Sequence, residues 1–220
     1  MLSSVEFQPG KYPNGYSTLF WDFDGVIKDS IEVKTRAFVS LFERYGLEVA
    51  KKVRLHHEAN GGMSRFDKLP LYLRWAGDDP SESRVSQLCA QFSQLALQGV
   101  IDSPWVPGAE AYLRDNRHRQ TFVLVSATPQ TELEQILLAL DLRKCFAEVF
   151  GAPASKEEAI RMTLSEGGID PQCCLMIGDA RADLEAAQAN RVPFLLRRHS
   201  TNSEVFADYA GLSVKDFTKL

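Results

Sequence analysis

Residues 19–26 read Leu19-Phe20-Trp21-Asp22-Phe23-Asp24-Gly25-Val26, an apolar run that ends on two carboxylates and a glycine. The run is continuous rather than alternating, the pattern of a strand buried on both faces of a parallel sheet. Such a strand delivers Asp22 and Asp24 to its C-terminal end, where ligands bind in open α/β sheets. Side chains two apart in an extended strand share a face. Beyond the strand Gly25 lets the backbone turn, so the two carboxylates can take separate roles. Holding two like charges together is costly without a cation or a shared proton. Asp-x-Asp-Gly also occurs in ordinary turns and in calcium loops. The EF-hand pattern fails here, because Val26 and Lys28 stand where further ligands would fall.

Outward from this stretch, Thr121 to Val125, Cys174 to Ile177 and Pro193 to Leu196 read as further buried strands, with Glu148 to Phe150 a weaker one. Helical patterns lie between them. Ile31, Thr35, Phe38, Phe42 and Tyr45 share a face behind Asp29 as N-cap. Leu133, Ile136, Leu137 and Leu140 make a second face, and residues 155–166 and 180–190 supply two more helices. Strands alternating with such helices predict an α/β fold, a doubly wound parallel sheet. Ile27 to Trp105 breaks the alternation: it has no strand pattern and several helical ones. The best is Ser81 to Gln98, with Val85, Leu88, Cys89, Phe92, Leu95 and Ala96 on one face. Such a length is too great for one crossover helix, so a helical insertion over residues 28–105 is expected, with residues 1–27 and 106–220 forming the α/β core.

The remaining strand ends also carry chemistry. Ser126-Ala127-Thr128 reads as a turn opening a helix, offering backbone N–H groups to an oxyanion. Lys156 starts a helix after the weak strand and supplies a positive charge. Gly178-Asp179-Ala180-Arg181-Ala182-Asp183 places two more carboxylates at a strand terminus. Each has a plain alternative: Ser126 as an N-cap, Lys156 as a solvated helix residue, Asp179 and Asp183 as helix-start acids favoured by the macrodipole. Four such features at four successive strand ends are harder to assign to chance.

In this order and combination, Asp22-Phe23-Asp24-Gly25-Val26, Ser126, Lys156 and Gly178-Asp179 with Asp183 resemble the four motifs of the haloacid dehalogenase-like hydrolase superfamily. The insertion occupies the place of that family's type-one helical cap, as in its phosphoglycolate phosphatase and β-phosphoglucomutase-like members. The resemblance implies a Mg²⁺-dependent phosphatase acting on a small phosphorylated metabolite. Asp22 would be the nucleophile and Asp24 the acid and base. Ser126, the Ala127 backbone and Lys156 would hold phosphoryl oxygens. Asp22, the Asp24 carbonyl and Asp179 would bind the metal, with Asp183 behind them. An acid at position 24 favours phosphate esters over the haloacid and phosphonate branches of the family. Gly61-Gly62-Met63-Ser64-Arg65 resembles the Ser-Arg loop of β-phosphoglucomutase-like caps, which implies that Arg65 grips an anionic group of the substrate; its plain alternative is a salt bridge at a helix start. A phosphosugar mutase is the neighbouring reading, although Lys156 lacks the Lys-Pro-x-Pro context. A non-catalytic receiver-like phospho-acceptor is the reading from another class, disfavoured by Asp24, the Asp179 motif and the insertion. His56, His57, Glu58 and Asn60 face either substrate or helix packing.

Composition sets the outer bounds. The 220 residues are 45% hydrophobic and 25% charged, which excludes disordered and fibrous classes. A net charge of −4, with its Lys and Arg dispersed, argues against a nucleic-acid surface. Met1 to Tyr16 has no signal-peptide pattern, no apolar run is long enough to span a membrane, and the four cysteines lack metal-type spacing. Adjacent Cys173 and Cys174 are expected to be buried thiols. A cytoplasmic enzyme is expected, a monomer or small homo-oligomer without membrane or nucleic-acid partners.

Overall fold

The computed structural model describes Pro13 and residues 15–220, so most of the Met1 to Tyr16 segment lies outside the described residues. Among the described residues, six parallel strands form one sheet: β1 (Thr18–Trp21), β2 (Thr121–Pro129), β3 (Glu148–Ala152), β4 (Cys174–Gly178), β5 (Phe194–Arg197) and β6 (Leu212–Val214), in the order β3-β2-β1-β4-β5-β6. The doubly wound sheet is thus present, with one more strand than the sequence pattern announces. β6 is a three-residue, half-buried edge strand, too short to display a period.

Period-two geometry sorts the apolar runs onto two faces. Leu19 and Trp21, Phe122 and Leu124, Leu175 and Ile177, and Leu195 point into one cluster. It is closed by α5 (Ala109–Asn116) and α6 (Gln130–Ala139) through Tyr112, Leu113, Leu133, Ile136 and Leu137. Phe20, Val123, Val125, Met176 and Leu196 point into the other. There α7 (Lys156–Gly167) and α8 (Arg181–Ala189) close it through Ala159, Ile160, Ala186 and Ala187. The apolar residues of β1, β4 and β5 therefore leave water, and each fully buried large side chain contributes about 1.5–3 kcal/mol.

Between β1 and α5 the chain forms α1 (Ile31–Phe42), α2 (Leu47–Ala59), α3 (Arg65–Trp75) and α4 (Glu82–Asp102). They pack on one another around Phe38, Phe42, Tyr72, Leu88 and Phe92, a cluster separate from the two at the sheet. Phe42 and Tyr72 meet edge to face at 5.6 Å. The α4 stripe differs from the expected one: Leu95 is 52% exposed, and Val100 takes the inward position one turn past Ala96. The chain enters and leaves this helical layer side by side. The Asp29 amide donates to the Pro104 carbonyl and the Val106 amide to that of Ile27. Lys28 reaches the Ile101 carbonyl at 3.0 Å and sits 4.3 Å from the Trp105 ring centroid. The N-cap of α1 is Ser30 rather than Asp29, and Ser30 turns its hydroxyl to Asp24 instead of the helix. Cys174 is buried as expected, whereas Cys173 lies exposed in the turn before β4; all four cysteines are free. Among the described residues, no helix is long and apolar enough to cross a membrane.

Candidate active site

The C-terminal ends of β1, β2, β3 and β4 open on a cleft of about 780 Å³, counting its mouth, between the sheet and the helical layer. β1 is central, with β2 on one side and β4 on the other, so the cleft lies where the strand order reverses. Asp22 follows β1, and its amide is held by the Ile177 carbonyl at 2.9 Å, which fixes it beside the end of β4. Lys156, the first residue of α7, reaches Asp22 Oδ1 at 2.8 Å and Asp183 Oδ1 at 2.5 Å. Ser155 caps that helix by accepting the Glu158 amide, which sets the angle at which Lys156 leaves the backbone. The second Asp183 oxygen accepts the amides of Asp179 and Ala180 at 3.2 and 2.9 Å. Asp183 thus holds both Lys156 and the loop that presents Asp179.

Asp22, Asp179 and Asp183 place one carboxylate oxygen each within 4.8 Å of one another, all three buried. Burial pushes the Asp22 carboxyl up to about 7, with Lys156 pulling against it and Asp183 and Asp24 adding to it. Asp179 and Asp183 are also raised, again chiefly by burial. Three buried acids therefore face one lysine and one histidine: His199 Nε2 donates to Asp179 Oδ2 at 2.8 Å. A set of hard oxygen donors with surplus negative charge fits a divalent cation such as Mg²⁺.

Asp24 faces away from this trio. Ser30 donates to its Oδ1 at 2.6 Å, while Lys34 and Thr128 donate to Oδ2, Thr128 at 3.2 Å. Burial pushes this carboxyl up, but the Lys34 charge and the three hydrogen bonds outweigh it and hold the group below its ordinary value. Gly25, at φ +77°, makes this divergence of the two aspartates possible; a side chain there would strike the Asp179 carboxylate.

Ser126 is buried, but Ser126-Ala127-Thr128 is not the expected helix-opening turn. β2 continues to Pro129, its register with β3 shifting across these residues, and α6 begins only at Gln130. The Thr128 amide donates to Ser126 Oγ at 3.2 Å and is engaged inside the strand end. Ala127 and Lys156 line the main cleft, and Ser126 lines a neighbouring depression that continues from it.

Arg65 begins α3 and lines the cleft, yet its guanidinium fork is occupied. It meets Glu132 of α6 at 2.7 and 2.9 Å and Ser93 of α4 at 2.8 Å, stacked 4.2 Å from the Phe92 ring. This buried pair ties the helical layer to the sheet side of the molecule. Burial raises the Glu132 carboxyl, but the Arg65 bonds outweigh it and leave it lowered. The stabilisation is complete above the ordinary glutamate range and is lost as pH falls below it. Glu132→Ala, which strands a buried guanidinium, is expected to destabilise the chain by about 3–5 kcal/mol. Replacing both partners, Arg65→Met with Glu132→Leu, should recover most of that loss in thermal unfolding. Nearby, Gly62 of the α2–α3 loop approaches Ala180 and Ala182 so closely that a Cβ would lie 2.8 Å from the Ala182 side chain.

Lys34, Glu132, Lys68 and His199 belong to the cleft or its support, although no sequence motif announces them. The pair His56-His57 divides: His57 lines the cleft, while His56 Nδ1 meets the Tyr72 hydroxyl at 3.0 Å. Glu58 pairs with Arg54, and the Asn60 side chain donates to the His56 carbonyl.

A sheet of this order, with an acid trio and a lysine at its strand ends and helices over them, brings Asp22, Lys156, Asp179 and Asp183 of the resembled motifs into one site. Residues 16–190 match the model of the haloacid dehalogenase-like hydrolases, and the chain belongs to that family. Among curated relatives, a 5'-nucleotidase of Pseudomonas aeruginosa is 25% identical over 189 residues, covering 83% of this chain and 80% of its own. Protein CbbY of Rhodobacter capsulatus is 27% identical over 187 residues, covering 78% of this chain and 80% of its own. The structure of β-phosphoglucomutase from Clostridium difficile superposes with a TM-score of 0.73 over 93% of each chain at 21% identity, a likeness of fold.

Proposed function

We propose that the protein is a Mg²⁺-dependent phosphatase of small phosphorylated metabolites, working through a phosphoryl group carried on Asp22, with residues 28–105 as its cap. The observation that carries this reading is the meeting of Asp22, Asp179 and Asp183 around Lys156 at the strand ends. An Asp22 oxygen attacks phosphorus, the bond to the leaving oxygen breaks, and Asp24 gives that oxygen a proton. Asp24 then takes a proton from water, whose oxygen attacks the phosphoryl group and restores Asp22. Lys34 pairs with Asp24 in the present arrangement, which suits the second half of this cycle. An arriving phosphoryl dianion competes for Lys34, and Asp24 relieved of that partner takes up a proton more readily.

Lys156, the Ala127 backbone and Ser126 neutralise and orient the phosphoryl oxygens. Asp22, the Asp24 carbonyl and Asp179 would hold Mg²⁺, which when bound offsets the charge shared by carboxylates and phosphate. Asp183, already engaged by Lys156 and two amides, supports rather than ligates. The helical layer closes the cleft against bulk water.

A phosphate-release screen over sugar phosphates, phosphoglycolate and nucleotides, with and without Mg²⁺, tests this. Chelation of divalent ions is expected to lower release at least ~100-fold, and restoring Mg²⁺ should raise the melting temperature because it relieves the buried acids. Isomerised sugar phosphate without free phosphate would sink the hydrolase reading in favour of a mutase.

A further inference from the structure

The helical layer presents three cationic side chains to the cleft: Lys34 of α1, and Arg65 and Lys68, one turn apart on α3. Two of them already have carboxylates, Lys34 pairing with Asp24 and Arg65 with Glu132. Among the described residues, Lys68 has no carboxylate within ion-pair distance. It is 1% exposed, yet it lines the same cleft as Asp22. Its ammonium lies 2.8 Å from Nδ1 of buried His57 and 5.6 Å from the Phe38 ring centroid.

Burial, with the Lys34 charge adding to it, brings the Lys68 ammonium down to about 7, against a weaker pull from Asp24. Burial and the neighbouring lysines hold His57 well below its ordinary value, so its neutral ring accepts a hydrogen bond from Lys68 rather than competing with it for a proton. Leaving a buried ammonium without a counter-charge is costly, and structure alone does not require a lysine where a methionine would fill the same space. The arrangement is a positioned cation facing a substrate cleft, and among the described residues its one hydrogen-bond partner, His57, is neutral.

We infer that Lys68, positioned by His57, binds a second anionic group of the substrate, a carboxylate or a further phosphate on the part of the molecule that departs from phosphorus. This rests on the phosphatase reading and narrows it to phosphate esters of anionic alcohols. It also reassigns the anion-binding role of the helical layer from Arg65, whose fork is filled, to the residue one turn further along the same helix.

Binding is the direct test, because it needs no turnover. Calorimetry on the Asp22→Asn chain with Mg²⁺ would compare three esters: phosphoglycolate, 1,3-propanediol bisphosphate and neutral ethyl phosphate. At least one of the two anionic esters should bind ten-fold or more tightly than ethyl phosphate, and which of them does so separates a carboxylate from a phosphate. Lys68→Met should reduce that ratio to near unity, and Lys68→Arg should restore part of it. Equal affinities, no detectable binding of any ester, or a ratio that survives Lys68→Met would overturn the inference. The ratio in the Lys68-containing chain stands as a test even if Lys68→Met fails to fold. Phosphate release by the unsubstituted chain separates the two claims: a clear binding ratio without release sinks the phosphatase reading and leaves the anion site in place.

Discussion

Asp22→Asn is expected to lower phosphate release by about 10⁴-fold or more while leaving the fold intact. An amide oxygen is a poor nucleophile, and no second carboxylate can take its place. Asp24 is turned toward Ser30, Lys34 and Thr128, Asp179 toward His199, and Asp183 is bound by Lys156 and two amides. The stability side of this prediction has a definite sign. Burial raises Asp22 to about 7, so between the ordinary aspartate range and that value the folded chain holds a proton that the unfolded chain has released. The contribution of this carboxyl to stability therefore falls as pH rises through that window and stays low above it. Without divalent cation at pH 8, the Asn variant should melt no lower than the parent. A clear drop in melting temperature would mean that the Asp22–Lys156 pair stabilises the fold and that the site is structural.

Lys156→Met should have the opposite stability effect. Its ammonium is the one close cation for Asp22 and Asp183 among the described residues, and it is itself buried. The two acids around it raise its ammonium above the ordinary lysine value despite burial, so the charge persists over the whole working range of pH. Removing it leaves two buried carboxylates facing each other, a loss of about 3–5 kcal/mol. For a chain of this size that corresponds to a fall of roughly 10 °C in melting temperature. Turnover should fall by at least ~100-fold as well, since a charge aimed at the phosphoryl oxygens is lost. Mg²⁺ should recover part of the stability, because it neutralises the same carboxylates, and little of the turnover. Equal recovery of both would show that Lys156 acts only as a counter-charge.

The residues at strand ends were legible because a parallel sheet aligns the C-termini of its strands, and an apolar run followed by acids announces both the strand and its end. Asp22, Asp24, Lys156, Asp179 and Asp183 all follow such runs. His199 obeys the same rule two residues after β5 and could have been read from it. What local pattern could not supply are partnerships across the cleft. Lys34 on α1, Glu132 on α6 and Lys68 on α3 each look like ordinary polar helix positions. Their partners Asp24, Arg65 and His57 lie on other segments. The Ser126-Ala127-Thr128 misreading has another cause: proline after a short polar run marks a helix start equally well whether the preceding residues turn or stay extended. Here they stay extended as the end of β2.

The central claim is that Asp22 carries the phosphoryl group, and a nitrophenyl ester tests it most directly because its leaving oxygen needs no protonation. In an Asp24→Asn chain the phosphorylated form should accumulate, since the base that activates water is gone. Rapid mixing with p-nitrophenyl phosphate and Mg²⁺ should give a burst of nitrophenolate near one equivalent per chain, followed by slow turnover. The acid-quenched protein should carry a phosphoryl group on the peptide containing Asp22. Slow release without a burst and with that peptide unmodified, or a phosphoryl group on any other residue, would contradict the account.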